Sequence, residues 1–177
     1  MASQKKEKYH QILQGALKVF ADNGFHRAQV SKIAKEAGVA DGTIYLYFKN
    51  KEDILICLFQ EVLGDLLDNI RSQIKPEDSA MEAIQKVCEI HYSVLENHVD
   101  LAYVTQIELR QSSMELRKEI GNSVRPYIKF IESLLIQGME EKLFRPDLDV
   151  KLTRSLLFGG MDEVVTSWLI SGRKYSL

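Results

Sequence analysis

Apolar residues recur every three or four positions along most of the chain, a spacing that is typical of amphipathic helices. No segment shows the sustained alternation of apolar and polar residues that would favour strands. With 10 Gly and 3 Pro among 177 residues, few positions interrupt long helices. The pattern therefore predicts an all-α protein. The predicted helices span residues 5–22, 29–37, 42–48, 51–75, 80–97, 101–112, 114–143, 149–159 and 161–171.

The predicted helix that begins at residue 51 is long enough to leave one part of the chain and enter another. Asn50 can cap its first turn, and Glu52 and Asp53 suit the positive end of a helix dipole. Pro76 ends it. We therefore predict two domains, one over residues 1–50 and a second over residues 51–177.

The last two predicted helices, between Leu152 and Ile170, are apolar on nearly every face. A helix without a polar face must be buried on all sides, which the terminal helices of a small monomer seldom achieve. The pattern therefore predicts a homodimer that pairs through residues 150–171. A helical hairpin inside the core of a single chain is the alternative.

Residues 29–48 have the pattern of a helix-turn-helix. The first helix has an apolar face with small alanines, which allow a second helix to cross closely, and Gly38 can adopt the left-handed conformation at the corner. Asp41 can cap the second helix, and Ile44 and Phe48 can anchor that helix to the core. In DNA-binding proteins the second helix of this motif enters the major groove.

The charge of the chain is divided unevenly. Residues 1–51 carry nine Lys and Arg against four Asp and Glu, a net charge of +5, whereas the remaining residues carry 14 against 21, a net charge of −7. A basic head on an acidic body indicates a polyanionic partner, and exposed hydroxyl and ammonium groups suit phosphate oxygens. A solvated hairpin with surface tyrosines is the alternative. The residues predicted to contact DNA are Gln29, Lys32, Lys35, Thr43, Tyr45, Tyr47, Lys49 and Lys51.

The N-terminal third of the chain resembles the TetR family of bacterial transcriptional repressors over residues 8–60. The matching segments are Gly24-Phe25, Ile33 to Val39, Gly42 to Phe48 and Asn50 to Leu55. Gln29 departs from the pattern, since the family usually has Thr or Ser at that position. The resemblance implies a nine-helix protein, with three helices for DNA and six for ligand and dimerisation. It also implies repression that a small molecule relieves.

A second set of residues can form a ligand site. Tyr103, Gln106 and Arg110 fall on one helix face, where a guanidinium suits a carboxylate or phosphate. An apolar tunnel with a cationic mouth fits an acyl chain with an anionic head, although solvated arginines and core aromatics are the ordinary alternative. The candidate ligand residues are Tyr103, Gln106, Arg110, Arg117, Lys118, Arg125, Phe130, Phe158 and Trp168.

A closer similarity, to the Bacillus-type regulators of fatty-acid degradation within that family, covers residues 30–55, 105–112 and 168–177. It implies a homodimeric repressor of fatty-acid degradation genes on palindromic operator DNA. It also implies long-chain acyl-CoA as the effector, with no other cofactor. The alternative within the family is a repressor that senses drugs or other small molecules, but a single Trp and 8% aromatic residues fit an aromatic drug pocket poorly.

Other functional classes find little support in the sequence. It contains no Gly-rich phosphate loop and no Gly-x-Ser-x-Gly elbow, so we expect no enzymatic activity. Cys57 and Cys88 lack zinc-site spacing, so we expect no metal. The longest apolar run, residues 54–59, is too short to span a membrane, and the N-terminus has no apolar signal segment. We therefore expect a cytoplasmic protein without a membrane partner.

Overall fold

A computed structural model describes residues 2–108 and 113–177 of the protein. The regular elements within these residues are eight α-helices and one π-helical turn, so the all-α prediction is confirmed. The helices are α1 (Ala2–Asn23), α2 (Val30–Glu36), α3 (Asp41–Ile44), α4 (Lys51–Gln73), α5 (Ala80–Asn97), α6 (Val99–Tyr103), α7 (Met114–Glu140) and α8 (Val150–Ile170), and the π-helical turn spans Val104–Glu108. None of the described helices is both long and apolar enough to cross a bilayer.

The predicted break near residue 160 is wrong, because α8 runs without interruption from Val150 to Ile170. Two adjacent glycines, Gly159 and Gly160, lie at the position of the predicted break, and each costs a helix about 1 kcal/mol relative to alanine. The helix bridges them because its start is capped and its buried face packs in the core. The Asp149 side chain accepts a hydrogen bond of 3.0 Å from the Leu152 N–H.

Helix caps test the other predicted boundaries. The Asn50 side chain accepts a hydrogen bond of 2.8 Å from the Asp53 N–H, so the predicted cap of α4 is confirmed. The predicted capping role of Asp41 is wrong, because Asp41 is the first residue of α3 and Ala40 occupies the cap position. Asp41 still lies in the first turn, where a carboxylate interacts favourably with the helix dipole.

The chain packs into two compact units. The first unit comprises Met1–Glu61 and Asp100–Gly121, and the second comprises Val62–Val99 and Asn122–Leu177. Helices α4 and α7 contribute residues to both units. The units are defined by packing alone, so the predicted functional division at residue 50 stays a prediction.

The first unit has a core made mainly by α1, the two helices that follow it, and the start of α4. Ile12 and Phe20 of α1 and Ile33 of α2 are fully buried there. Helices α1 and α2 approach closely at Gly15, where a Cβ atom would lie 2.9 Å from the Ala37 nitrogen. A side chain at residue 15 would force the two helices apart, so the glycine is what allows α1 and α2 to pack this closely.

The second unit has its own core between α4, α5, α7 and α8. Ile70 of α4, Val87 of α5, Ile131 of α7 and Met161 of α8 are buried in one cluster. The end of the chain is fixed to this unit, since the Leu177 N–H donates to Glu96 of α5 at 3.2 Å. The unit therefore presents a packed apolar interior together with the exposed faces of four helices.

Candidate nucleic-acid interface and candidate ligand residues

The turn between α2 and α3 closes α2 with a left-handed glycine. Gly38 has a φ of 67°, and its N–H donates to the Lys35 carbonyl at 3.2 Å. The Val39 N–H donates to the Ala34 carbonyl at 2.9 Å. These two hydrogen bonds form a Schellman motif, which satisfies carbonyls that a helix end otherwise leaves unpaired. The predicted role of Gly38 at the corner is therefore confirmed.

Helix α3 is anchored by the two residues that the sequence indicated. Ile44 and Phe48 are buried in the first unit, as predicted. The Phe48 ring stacks on Tyr9 of α1, with the ring centroids 5.1 Å apart. The anchors fix the orientation of α3, and its remaining side chains point away from the core.

Residues 43–47, which we call the α3 segment, combine phenol, hydroxyl and apolar groups on the side that faces away from the core. Tyr45 is 60% exposed and Leu46 is 78% exposed, whereas Thr43 and Tyr47 are half-buried. Hydroxyl groups can donate to phosphate oxygens, and an exposed apolar side chain can contact a thymine methyl group. The sequence analysis missed Leu46, although an apolar residue between two outward tyrosines is itself a signal of contact with a partner.

Most of the predicted cations lie on the same unit with exposed ammonium groups. Lys35 and Lys49 are exposed, and so is Gln29, which occupies the cap position of α2 without a side-chain capping hydrogen bond. The Lys32 ammonium donates to the Asn23 side-chain oxygen at 2.8 Å. Contacts of these residues with DNA stay predictions.

Lys51 is held differently from the other cations. Its ammonium donates to the carbonyl oxygens of Phe25 at 2.9 Å, His26 at 3.1 Å and Ala28 at 3.4 Å. It also lies 4.7 Å from the centre of the Phe25 ring. An ammonium has three N–H donors, so these carbonyls occupy all of them. Lys51 thus fastens the start of α4 to the segment before α2, and a phosphate contact requires it to release a carbonyl.

Two lysines that the sequence analysis counted but did not assign lie beside Tyr47. Lys5 and Lys6 of α1 line a cleft of ≈ 440 Å³ with Tyr47. The same cleft contains His10, whose Nδ1 lies 2.8 Å from a carboxylate oxygen of Glu61. The basic start of the chain was the available signal, but only the fold places it next to a predicted DNA contact.

The candidate ligand residues are divided between the two units. In the first unit, Tyr103 is partly exposed and Gln106 is buried within the π-helical turn. Arg117 and Lys118 are exposed on α7. Arg110 lies outside the described residues. Their predicted ligand contacts stay predictions.

In the second unit, the four candidates lie in three different environments. Arg125 and Phe130 line a cleft of ≈ 420 Å³ beside α4. Phe158 lies edge-on to Tyr127, with the ring centroids 6.0 Å apart. Trp168 is buried, and its indole N–H donates to the Tyr175 carbonyl at 2.7 Å. This bond fixes the last residues of the chain, a structural role that the sequence analysis did not foresee.

A buried polar pair lies in the core of the second unit. His91 is 6% exposed, and its Nδ1 lies 3.3 Å from the Tyr127 hydroxyl. Burial lowers the pKa of His91 to about 4, and the nearby charge of Asp162 only partly opposes this shift. Burial also raises the pKa of Tyr127. Both groups are therefore neutral at pH 7.

Neutrality determines which hydrogens this pair offers. Tyr127 keeps its proton and can donate it to His91 Nδ1, which places the ring hydrogen on Nε2. Nε2 is buried and has no hydrogen-bond partner among the described residues. Buried polar atoms are normally satisfied, so this N–H is suited to a polar group that a ligand would bring. The sequence analysis did not single out His91, because a lone histidine on an apolar helix usually packs in a core.

Helix α8 has two apolar faces, and only one is buried within the chain. Met161 and Trp168 lie in the core, whereas Leu152, Leu156 and Val164 are exposed. The alternative, a helical hairpin inside the core of a single chain, is therefore wrong. We call the exposed stripe of Leu152, Leu156, Gly160 and Val164 the α8 face. Contiguous exposed apolar residues of this kind mark a surface that meets a partner.

Two protein-family models match the chain in succession. The model of bacterial regulatory proteins of the tetR family matches residues 12–57. The model of the C-terminal region of YsiA-like proteins matches residues 59–177. Between them the two models account for both the helix-turn-helix segment and the helices that follow it.

Individual proteins are similar over nearly the whole length. The fatty acid metabolism regulator protein of Bacillus subtilis (strain 168) is 48% identical over 174 residues, which are 98% of this chain and 90% of that protein. The solved fatty acid degradation regulator FadR from Bacillus halodurans has a TM-score of 0.92 and 48% identity, covering 96% of this chain and 88% of that one. FadR from Bacillus subtilis in complex with stearoyl-CoA has a TM-score of 0.92 and 47% identity, covering 95% of this chain and 90% of that one.

Proposed function

Because the chain belongs to the TetR family of transcriptional regulators, we propose that it represses fatty-acid degradation genes until long-chain acyl-CoA releases it from DNA. The observation that carries this proposal is the 48% identity, over 98% of the chain, to a fatty acid metabolism regulator. The fold similarity to a FadR that binds stearoyl-CoA supports the choice of effector.

The surface of the first unit supports the DNA-binding half of the proposal. Its α3 segment presents Tyr45, Leu46 and Tyr47 outward from buried anchors. Lys5 and Lys6 of α1 line a cleft with Tyr47, and phosphate contacts from such ammonium groups set the register of a protein on duplex DNA. The residues we assign to this contact are Gln29, Lys32, Lys35, Thr43, Tyr45, Tyr47, Lys49 and Lys51, together with Lys5 and Lys6.

The second unit supports the effector half of the proposal. Its core is apolar, as an acyl chain requires, and it contains the unpartnered N–H of His91 for a carbonyl oxygen. Arg125 and Phe130 line a cleft on the same unit. These features give a long-chain thioester an apolar environment for its tail and polar partners for its head.

Dimerisation is typical of this family, and we propose that the α8 face pairs two copies by a two-fold axis. A dimer places two α3 segments in successive major grooves of a palindromic operator, about 34–36 Å apart. Acyl-CoA then acts by binding better to a dimer conformation in which that spacing is wrong. Only this difference in affinity between two conformations can weaken DNA binding.

The relatives are transcriptional regulators, and we propose that this protein likewise binds acyl-CoA without converting it. As a regulator of transcription it acts where the chromosome is, in the cytoplasm. Stearoyl-CoA incubated with the purified protein should be recovered intact by mass spectrometry. Recovery of stearate and coenzyme A in amounts that grow with protein concentration would assign it an enzymatic activity instead.

The proposed function is tested by release from DNA. The operator sequence is first identified by selecting, from random-sequence DNA duplexes, those that bind the purified protein. Fluorescence anisotropy then measures binding of the protein to the labelled operator. Stearoyl-CoA should release the labelled operator, whereas coenzyme A and sodium stearate at equal concentration should not. If a drug-like cation releases the operator and stearoyl-CoA does not, the protein is a sensor of a different ligand class.

Tyr47→Phe should weaken operator binding without changing the affinity of the protein for stearoyl-CoA. The substitution removes one hydroxyl from the outward surface, and a neutral hydrogen bond contributes about 1 kcal/mol, which we expect in each half-site. Anisotropy titrations of both variants at one salt concentration measure the change. Tyr175→Phe removes an exposed hydroxyl from the second unit and is the matched control. Equal operator affinity of Tyr47→Phe and wild type would remove Tyr47 from the interface.

A further inference from the structure

Leu46 extends a large apolar side chain into solvent on the surface that we assign to DNA. It is 78% exposed, because the buried anchors of α3 hold the α3 segment with this side chain away from the core. Tyr47 lies in the cleft lined by Lys5 and Lys6, and the described lining of that cleft does not include Leu46. Hydroxyl and ammonium groups suit phosphate oxygens, but an alkyl group cannot bond to a phosphate. A contact of Leu46 with DNA therefore requires an apolar group of the duplex.

The backbone of the α3 segment places Leu46 beside Thr43. The Leu46 N–H donates to the Thr43 carbonyl at 3.1 Å. A hydrogen bond between residues three apart is that of a 3₁₀ turn, in which the side chains of residues i and i+3 lie one above the other. Thr43 is half-buried, and its hydroxyl forms no hydrogen bond with the residues that the structure describes. One side of the segment therefore combines an alkyl group with a hydroxyl donor.

The space next to this side is open. A Cβ atom at Gly42, directly before Thr43, would meet no atom within 4 Å. Glycine is less favourable than alanine inside a helix, and packing within the described part of the chain does not require a glycine at this position. Without a side chain, the backbone can be approached closely by another molecule. Gly42 therefore leaves room for a partner beside Thr43.

The chemistry of this side matches one base. In the major groove, thymine presents a C5 methyl group together with the O4 acceptor, and the other three bases present no methyl group. Leu46 can contact the methyl group while the Thr43 hydroxyl donates to O4. Guanine and adenine are best recognised by Arg, Lys, Asn or Gln, and residues 41–48 contain none of these. The combination of groups therefore favours thymine.

We propose that Leu46 and Thr43 recognise a thymine in each half-site of the operator, with Leu46 against its C5 methyl group and the Thr43 hydroxyl on its O4. The inference rests on the proposed function, since it requires binding to duplex DNA. It adds Leu46 to the interface and makes an apolar contact responsible for part of the sequence specificity. The tyrosine hydroxyls and lysines of the first unit then position the protein on the phosphates.

The test removes single methyl groups from the DNA. Each thymine of the selected operator is replaced in turn, at both symmetric positions, by uracil, which keeps O4 and lacks only the C5 methyl group. Anisotropy should show at least one pair of positions at which uracil weakens binding to wild type by about 15-fold, since burying a methyl group contributes about fourfold in each half-site. At that pair, Leu46→Ala should bind the thymine and uracil operators equally.

Two variants separate the methyl contact from other losses of affinity. Thr43→Val removes the hydroxyl and keeps a side chain of similar shape, so it should weaken binding to both operators and preserve the preference for thymine. Tyr47→Phe removes a hydroxyl from another part of the same surface and should also preserve that preference. Thermal melting by circular dichroism verifies that every variant folds. If wild type binds every uracil operator as tightly as the thymine operator, or if Leu46→Ala keeps the preference, the assignment is overturned.

Failure of the proposed function gives a different pattern. If stearoyl-CoA does not release the operator, but the preference for thymine disappears only in Leu46→Ala, the effector is wrong and the thymine contact stands. If stearoyl-CoA releases the operator and wild type shows no preference for thymine, the function stands and the thymine contact is overturned. If the selection returns no duplex that the protein binds, both are overturned.

Discussion

Leu156→Glu should convert the protein to a monomer and weaken operator binding by about a hundredfold or more, given the 10³–10⁷ range that separates specific from non-specific DNA binding. Leu156 is 68% exposed and lies within the α8 face. If that face pairs two chains, the substitution places two carboxylates in an apolar interface. Burying an unpaired charge is costly, so the dimer dissociates. A monomer then contacts one half-site at a time and loses the second half-site.

Sedimentation velocity and anisotropy measure the two parts of this expectation on the same samples. Met81→Glu is the control, because Met81 is also an exposed apolar residue but lies on α5, outside the α8 face. It should leave both the sedimentation coefficient and the operator affinity unchanged. A Leu156→Glu protein that sediments as the wild-type dimer would show that the chains pair through another surface.

The stability of the second unit should fall steeply as the pH drops below 6.5, because His91 resists protonation when it is buried. Its pKa is about 4 in the folded protein and 6.5 in a model peptide. Between these values the unfolded chain binds a proton that the folded chain does not, so stability rises with pH in this window. The contribution of His91 should lower the free energy of unfolding, relative to pH 7, by about 2 kcal/mol at pH 5 and about 3 kcal/mol at pH 4.

Carboxylates also titrate in this range, so the measurement is a comparison of variants. In His91→Asn the amide oxygen can accept the Tyr127 hydroxyl in place of Nδ1, and the side chain does not titrate. In urea denaturation, wild type should lose about 2 kcal/mol more of its free energy of unfolding than His91→Asn between pH 7 and pH 5. His98→Asn, at an exposed histidine, should follow wild type. A constant difference across this pH range would show that folding does not lower the pKa of His91.

The helix-turn-helix could be predicted from sequence because its determinants are local. A glycine at the corner and two apolar residues four apart define the motif within twenty residues, and Gly38, Ile44 and Phe48 lie as expected. Short-range backbone geometry sets such a motif whatever the rest of the chain does. The exact helix boundary was harder to predict, since the cap of α3 is Ala40 and not Asp41. Helix ends commonly differ from their expected position by one or two residues.

The candidate ligand residues were harder to predict because they depend on which helices meet. Trp168 is a residue type that often lines apolar pockets. Here its indole N–H donates a hydrogen bond to the Tyr175 carbonyl, which gives it a structural role. Arg71 and Lys129 are ordinary surface cations in the sequence, and only the packing of α4 against α7 brings them to one cleft. The apolar periodicity of a helix predicts which of its faces is buried, but it does not predict which other helix packs against that face.

The bonds of Lys51 have a mechanical consequence for the first unit. A helix rises 1.5 Å per residue, so sliding α4 along its axis by one residue away from the segment before α2 would stretch each of these bonds past hydrogen-bonding length. The segment before α2 must therefore travel with α4, or the Lys51 side chain must change its conformation to keep these bonds. Lys51 therefore couples displacement of α4 to the segment before α2.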